Sequence, residues 1–238
     1  MVMPERQTYV LVGAGGTGSI LMPPLLRYLT TYHRDREPFV LAIIDGDEVE
    51  EKNLDRQLFD GADILSNKAA ALASKFINTR AIPEFLDDDN IEQRVLDGDV
   101  VLIAADNYNV RARIERHGKT LDNLVVINGG NESRDGSVQI WIREKGHDMS
   151  PPLSRFHPEI LIASEHDPAA LDCIQRAQLP GGEQTIIANL MSAAQMLNAL
   201  QHYHQVADGG GELSWHEVYF DLLTGNAKSY QRNGWDAA

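Results

Sequence analysis

The chain has 238 residues, 43% hydrophobic and 24% charged, which is the composition of an ordinary globular protein. Its 21 Lys and Arg against 35 Asp and Glu give a net charge of −14, a charge that repels nucleic-acid backbones and disfavours general nucleic-acid binding, so we expect no nucleic-acid partner. The one cysteine, Cys173, excludes an internal disulfide and a four-cysteine zinc site. With no signal-peptide pattern and no apolar run of membrane-spanning length, we expect a cytoplasmic protein without a membrane partner.

Four short apolar runs in the first half predict a buried parallel sheet. They span residues 8–12, 39–44, 99–104 and 124–127. Each run is apolar on both faces, as strands covered by helices on both sides are. The intervening segments are long enough for helices, which indicates βαβ units, and we expect these helices from the glycine loop to about Tyr32, over 67–78 and over 106–117. Pro23 and Pro24 predict a late start or a kink in the first of them.

The second half has a different pattern. Residues 137–143 alternate like a strand, and the proline-rich segment 144–172 predicts a long irregular excursion. A long apolar helix over 183–204 and a closing hairpin over 215–223 and 227–231 follow. The predicted fold class is therefore α/β: a Rossmann-like, doubly wound, mostly parallel sheet with a C-terminal antiparallel extension.

A glycine loop directly follows the first predicted strand. Gly13, Gly15 and Gly18 form the pattern G-x-G-x-x-G, which lets backbone N–H groups approach a phosphate at a helix N-terminus. The alternative is a tight turn that binds no ligand. Asp45 ends the second strand, where a carboxylate can accept hydrogen bonds from ribose hydroxyls. These two features alone fit NAD, FAD, a methyl donor and ATP about equally.

The residues after Asp45 favour a triphosphate. Asn53 and Arg56 are three positions apart, which places them on one face of a helical turn, and Lys68 begins a predicted helix. One amide and two cations near a glycine loop suit a triphosphate. Asp106 follows another strand, where a carboxylate can hold Mg²⁺. Each of these residues alone is more commonly a solvated surface side chain, and their joint position at the sheet edge favours a site.

These stretches resemble the ThiF/MoeB/HesA family, part of the superfamily that includes the ubiquitin-activating enzymes. The matching sequences are VGAGGTGS (12–19), DGDEVEEKNLDRQ (45–57), NK (67–68), AADNYNVRAR (104–113) and INGG (127–130). The segment YFDLLTGNAKSY more resembles the small ThiF proteins of the PRTRC group. The resemblance implies one adenylation domain over 1–238, with a nucleotide-binding core at 1–143, a crossover segment at 144–182, and the long helix and hairpin at 183–238.

The resemblance also implies an activity and a set of site residues. The family adenylates a carboxylate with MgATP, usually the C-terminal glycine of a ubiquitin-like or sulfur-carrier protein. The implied catalytic residues are Arg56, Lys68 and Asp106, with Asp106 also holding Mg²⁺. The implied ATP-binding residues are Gly13, Gly15, Gly16, Gly18, Asp45, Asp47, Asn53, Arg56 and Lys68. The attacking carboxylate is already ionised at neutral pH, so no general base is required.

Several questions stay open at this stage. Cys173 matches the position of a thioester-forming cysteine in ubiquitin-activating enzymes, while a lone cysteine is most often a small buried hydrophobe. The Cys-x-x-Cys pairs of many members are missing, so we expect no structural zinc. We also expect no N-terminal helix with the arginine that reaches a partner subunit's ATP site in relatives, and a homodimer stays open. The alternatives are a non-catalytic subunit that binds ATP or a partner, and an NAD-dependent oxidoreductase.

Overall fold

The structure, a computed structural model, describes residues 6–162 and 185–234, which are organised around a nine-stranded sheet. Five strands pair in parallel in the order β3-β2-β1-β4-β5: β1 (Gln7–Val12), β2 (Phe39–Ile44), β3 (Thr79–Ile82), β4 (Val100–Ile103) and β5 (Leu124–Asn131). Four strands extend the sheet in antiparallel fashion: β6 (Asp135–Glu144), β7 (His147–Asp148), β8 (Glu217–Asp221) and β9 (Asn226–Tyr230). This arrangement confirms the predicted fold class, including the C-terminal antiparallel extension.

Helices cover both faces of the parallel strands. Within the described ranges they are α1 (Gly16–Tyr32), α2 (Lys68–Ser74), α3 (Ile91–Arg94), α4 (Tyr108–Gly118) and α5 (Ile186–Gly209). In β1, Tyr9 and Leu11 pack into a buried cluster with α1, α2 and α5, whereas Val10 and Val12 pack into a second cluster with α3 and α4. The parallel strands are therefore apolar on both faces because both faces are buried. No helix in the described part of the chain is long and apolar enough to cross a bilayer.

The first predicted helix has the expected bounds, from the glycine loop to Tyr32. Of the late start or kink expected from Pro23 and Pro24, the late start is not observed, because α1 begins at Gly16 and runs through both prolines. Burial of Leu21, Met22 and Leu25 on either side of the prolines stabilises the helix there. The second predicted helix, 67–78, ends early at Ser74. The Thr79 hydroxyl donates to the carbonyl oxygens of Ala73 and Phe76, which caps the chain before it enters β3.

The segment 144–162 is not featureless. It contains β7 and two short 3-10 helices, Leu153–Arg155 and Pro158–Leu161, and both 3-10 helices lie against α4. The rest of the predicted excursion lies outside the described residues, and so does Cys173. The predicted helix 183–204 is observed from Ile186 and continues to Gly209.

Gly18 lets the first turn of α1 approach the glycine loop closely. A Cβ atom at Gly18 would lie 1.9 Å from the backbone oxygen of Gly13, far inside van der Waals contact. A Cβ at Gly15, in contrast, would meet no atom within 4 Å. Gly18 is therefore required by packing, while Gly15 leaves open space beside the loop.

We expect Gly18→Ala to destabilise the protein and Gly15→Ala to leave its stability nearly unchanged. Relieving the clash with Gly13 requires a backbone shift at the start of α1, for which we expect a loss of roughly 1–3 kcal/mol in the free energy of unfolding. Urea unfolding of the two variants beside the unaltered chain measures the difference. Equal stability of the two variants would contradict this role of Gly18.

A buried polar cluster joins the C-terminal ends of α1 and α5 beside β1. The Tyr9 hydroxyl is hydrogen-bonded to Nε2 of His33 at 2.9 Å and to Nε2 of His204 at 3.0 Å. The Tyr28 hydroxyl is bonded to Nδ1 of His204 at 2.9 Å, and the Tyr32 ring stacks on the His204 imidazole. Burial lowers the pKa of His204 to about 4, so this imidazole is neutral at pH 7.

The His204 cluster predicts acid sensitivity of the fold. Because the folded pKa of about 4 lies below the ordinary value of 6.5, the unfolded chain binds a proton first as the pH falls. The contribution of His204 to stability is complete above pH 6.5 and is lost between pH 6.5 and 4, by about 3 kcal/mol at most. We expect urea unfolding to show a larger loss from pH 7.5 to 5 for the unaltered chain than for His204→Gln. His147→Gln, at an exposed histidine, is the matched control and should keep the full pH dependence; equal losses in all three proteins would rule out the effect.

Candidate functional site

A cavity of about 370 Å³ opens at the carboxyl ends of the parallel strands, where β1 lies between β2 and β4. The strand order reverses at β1, so the chain continues to one side from β1 to β2 and returns on the other side as β4. In open α/β sheets, ligands bind at this switch point. Eight of the predicted site residues line the cavity: Gly13, Gly15, Gly16, Asp45, Asp47, Arg56, Lys68 and Asp106.

The glycine loop forms one wall of the cavity. Gly13 has φ +95°, and a Cβ there would lie 2.8 Å from the backbone nitrogen of Ala105, so any larger residue would push β1 away from the end of β4. Gly15 has open space beside it and faces the cavity. Because α1 begins at Gly16, its first N–H groups and the positive end of its dipole lie at this wall. The loop can therefore accept an anionic group close to its backbone.

Asp45 joins the glycine loop to the segment after β2. Its Oδ2 accepts the backbone N–H of Ala14 at 2.6 Å, and its Oδ1 accepts the backbone N–H of Asp47 at 2.8 Å. Burial raises the pKa of Asp45, while the two N–H donors and the charge of Lys68 act in the opposite direction. The carboxylate is thus held in place from two sides, with acceptor lone pairs remaining for a ligand hydroxyl.

Lys68 carries a nearly buried charge at the start of α2. Its side chain is 7% exposed, and Nζ donates to Asp47 Oδ2 at 3.0 Å. Asn67 fixes this arrangement, because its Oδ1 caps α2 at the N–H of Ala70 and its Nδ2 donates to the backbone oxygens of Asp45 and Asp47. The side chain of Lys68, which lines the cavity, is therefore held at a fixed position.

Asn53 and Arg56 share one helical turn and have different surroundings. Arg56 lines the cavity, whereas Asn53 is 2% exposed and does not line it. Asn53 Oδ1 accepts the backbone N–H of Glu50 at 2.9 Å, one half of a reciprocal cap with the Glu50 side chain. The backbone N–H of Gln57 donates to the Asn53 carbonyl oxygen, which continues the turn that carries Arg56.

Asp106 lies just past the end of β4, before the cap of α4. It lines the cavity, and the following Asn107 accepts the N–H of Asn109 at 2.7 Å and so begins the helix. The described residues contain no group of three or more His, Cys, Asp or Glu that could hold a metal alone. Asp47 and Asp106 line the cavity together with Asp45 and Glu84, so four carboxylates and two cations share it.

A network of amides closes the side of the cavity next to β5. The Thr17 hydroxyl donates to Asn131 Oδ1 at 2.9 Å, and Asn131 Nδ2 donates to Asn189 Oδ1 at 3.0 Å. Asn189 is fully buried in α5, and a Cβ at Gly16 would lie 2.1 Å from its Nδ2. The absence of a side chain at Gly16 therefore lets α5 pack directly against the start of α1.

The predicted residues Gly18 and Asn53 do not line the cavity, and Cys173 lies outside the described residues. The cavity also contains polar or aromatic residues for which we predicted no role: Thr17, Gln57, Glu84, Phe85, Asn107 and Asn131. Thr17 and Gln57 lie inside the motifs that carry the resemblance, and Asn131 follows INGG directly. Glu84 and Phe85 follow β3, a strand without an apolar run, so no sequence signal indicated them.

Known proteins similar to this chain include a sequence relative and several solved structures. A SAMP-activating enzyme E1 of Haloferax volcanii is 30% identical over 109 residues, which are 43% of this chain and 37% of that enzyme. PaaA has a similar structure, with TM-score 0.65 at 18% identity over 94% of this chain and 64% of PaaA. E. coli MccB in complex with ATP has TM-score 0.63 at 15% identity over 94% of this chain and 63% of MccB.

The chain thus spans less than two thirds of the length of each of these relatives, and at such identities the two structures show a shared fold. The model of the ThiF family matches residues 5–208, which is most of the chain. On this match, together with the glycine loop and the Asp45–Arg56 segment at the switch point, the chain belongs to the ThiF family.

Proposed function

We propose that this chain adenylates a carboxylate with MgATP, and that the carboxylate is the C-terminal glycine of a small ubiquitin-like or sulfur-carrier protein. One observation carries the proposal: a single cavity brings together the glycine loop, Asp45, Arg56, Lys68 and Asp106. Family membership supports it, as do a relative named as an activating enzyme and structures of MccB with ATP and with MccA.

The residues of the cavity fit a nucleotide triphosphate. Gly15 and Gly16 line the cavity at the N-terminus of α1, where backbone N–H groups can donate to phosphate oxygens, whereas the N–H of Gly13 donates to the carbonyl oxygen of Ile44. Asp45 has acceptor capacity for ribose hydroxyls. Lys68 and Arg56 supply the positive charge that a triphosphate requires in a chain of net charge −14. Contact of Gly18 and Asn53 with the nucleotide stays a prediction, and their described contacts lie within the protein.

Two carboxylates fit a magnesium ion that arrives with the nucleotide. Mg²⁺ is usually held by one or two carboxylates together with substrate phosphates and water, so a cluster of three protein ligands is not needed. Asp106 would provide the protein's share, together with Asp47 of the same cavity. When bound, the ion neutralises charge on the phosphates.

In the proposed reaction, the chain's residues position the reactants and stabilise charge. A carboxylate oxygen of the partner attacks the α-phosphorus, the bond to the bridging oxygen breaks, and pyrophosphate leaves with the electron pair. Lys68 and Arg56 stabilise the negative charge that grows on the phosphoryl oxygens, an effect that is strong where water is partly excluded. The glycine loop and Asp45 hold the nucleotide for in-line attack.

The remaining parts of the proposal concern the whole chain. We propose a single adenylation domain, cytoplasmic and without structural zinc.

Transfer of the adenylated carboxylate to Cys173 and formation of a homodimer stay predictions. A Cys173→Ser variant that exchanges pyrophosphate normally but forms no thioester with the partner would support the transfer.

We expect Lys68→Ala to weaken ATP binding at least tenfold, because it removes the buried ammonium group from the cavity. Lys75→Ala is the matched control, since Lys75 lies just beyond the other end of α2 and pairs with Asp60 and Asp63 outside the cavity. Calorimetry with MgATP measures both variants. The proposal is overturned if Lys68→Ala and Lys75→Ala bind MgATP equally well, or if the chain binds NAD and not ATP.

Turnover requires the partner. ATP–pyrophosphate exchange is measured with small proteins ending in Gly that are encoded beside this chain, and we expect exchange that Lys68→Ala and Asp106→Ala each reduce at least a hundredfold. Tight ATP binding without exchange for any such protein would favour a non-catalytic subunit instead.

A further inference from the structure

Phe85 is an exposed aromatic residue at the mouth of the cavity. Its side chain is 63% exposed, and it lines the cavity between Glu84 and Leu86. An aromatic ring gains free energy from burial, so one left at the edge of a concave site is a candidate ligand contact. The adenylation chemistry described above gives this residue no role.

The ring of Phe85 packs against the backbone of Gly46. A Cβ at Gly46 would lie 2.5–2.7 Å from three atoms of the Phe85 ring, so the ring rests directly on this glycine. The backbone of Phe85 is also held, because Asn90 Nδ2 donates to its carbonyl oxygen at 2.8 Å. On its N-terminal side, Glu84 forms an ion pair with Arg94. The ring is therefore placed before any ligand arrives, which reduces the entropy lost on binding.

The position of the Phe85 ring on Gly46 is next to the proposed ribose site. Gly46 directly follows Asp45, and the cavity wall near Phe85 includes the apolar residues Ile44 and Leu86. The strand order β3-β2-β1 places Asp45, which follows β2, between Phe85, which follows β3, and the glycine loop, which follows β1. With the ribose at Asp45 and the phosphates at the glycine loop, the base is left to occupy the side near β3, where its flat face meets the ring of Phe85.

We propose that Phe85 stacks on the purine base of the bound nucleotide and so positions it at the mouth of the cavity. This inference rests on the proposed function, because it requires a nucleotide in this cavity. Stacking of a base on an aromatic side chain depends on the ring face and not on the charge of the phosphates. Loss of the ring should thus weaken only ligands that carry a base.

Two ligands distinguish the contribution of the base to binding from that of the phosphates. MgATP and magnesium tripolyphosphate are titrated by calorimetry into the unaltered chain, Phe85→Ala, Phe85→Trp and Lys68→Ala. We expect Phe85→Ala to weaken MgATP about tenfold and to leave tripolyphosphate unchanged, while Lys68→Ala weakens both. Phe85→Trp should bind MgATP as well as the unaltered chain, and its added tryptophan fluorescence should be quenched by MgATP and not by tripolyphosphate.

The outcomes distinguish this inference from the proposed function. If MgATP binds the unaltered chain and Phe85→Ala equally well, the stacking is refuted and the nucleotide site remains. An equal loss of both ligands in Phe85→Ala also refutes the stacking, because it shows general damage to the cavity. If the unaltered chain binds neither ligand, the proposed function and the role of Phe85 both fail.

Discussion

The hydrogen bonds of one carboxylate hold the whole cavity together. Asp45 accepts one backbone N–H from the loop after β1 and another from the segment after β2, so both loops are fixed to the same side chain. The same turn brings Asp47 to Lys68 and presents Gly46 to Phe85. A buried N–H without an acceptor costs free energy, which makes this carboxylate a requirement of the loop conformation, in addition to its proposed contact with the ribose.

The charges of the cavity are arranged around a nearly buried ammonium group. Lys68 is 7% exposed at its side chain, and its partner Asp47 is 51% exposed. A buried cation without a counter-charge is costly, so Asp47 stabilises the charge of Lys68, while its exposure leaves it accessible to the proposed magnesium ion. The strong negative charge of the rest of the chain makes such a local cationic position more selective, since anions are repelled elsewhere.

Most of the fold could be predicted from the sequence because the parallel strands are buried on both faces and appear as unbroken apolar runs. The strand β3 was not predicted because it lacks such an apolar run. It lies at the edge of the parallel strands, where Arg80 is exposed. The late start that Pro23 and Pro24 suggested for α1 is not observed, because burial of Leu21 and Met22 outweighs the cost of two prolines. This is a tertiary effect that a local pattern does not contain.

The candidate site also contains residues that the sequence pattern predicted and residues that only the packing explains. Residues on the ends of well-defined strands, such as Asp45 and Asp106, were placed at the cavity by the topology alone. The cap made by Asn53 and the position of Phe85 on Gly46 depend on contacts between neighbouring loops. Such contacts follow from three-dimensional packing and have no spacing in the sequence by which to recognise them.

The position of β1 between β2 and β4 also affects how the protein folds. Pairing of β1 with β4 joins residues 9–12 to residues 100–103, so a long stretch of chain must be closed into a loop before this pairing forms. Non-local parallel pairing of this kind is slow compared with helix formation. Gly13 packs against Ala104 and Ala105, so the glycine loop acquires its final shape only after β4 has been synthesised and has paired. During synthesis, the nascent chain is therefore unable to form the cavity until β4 has left the ribosome. Until then one edge of β1 stays unpaired, and an unpaired strand edge can aggregate.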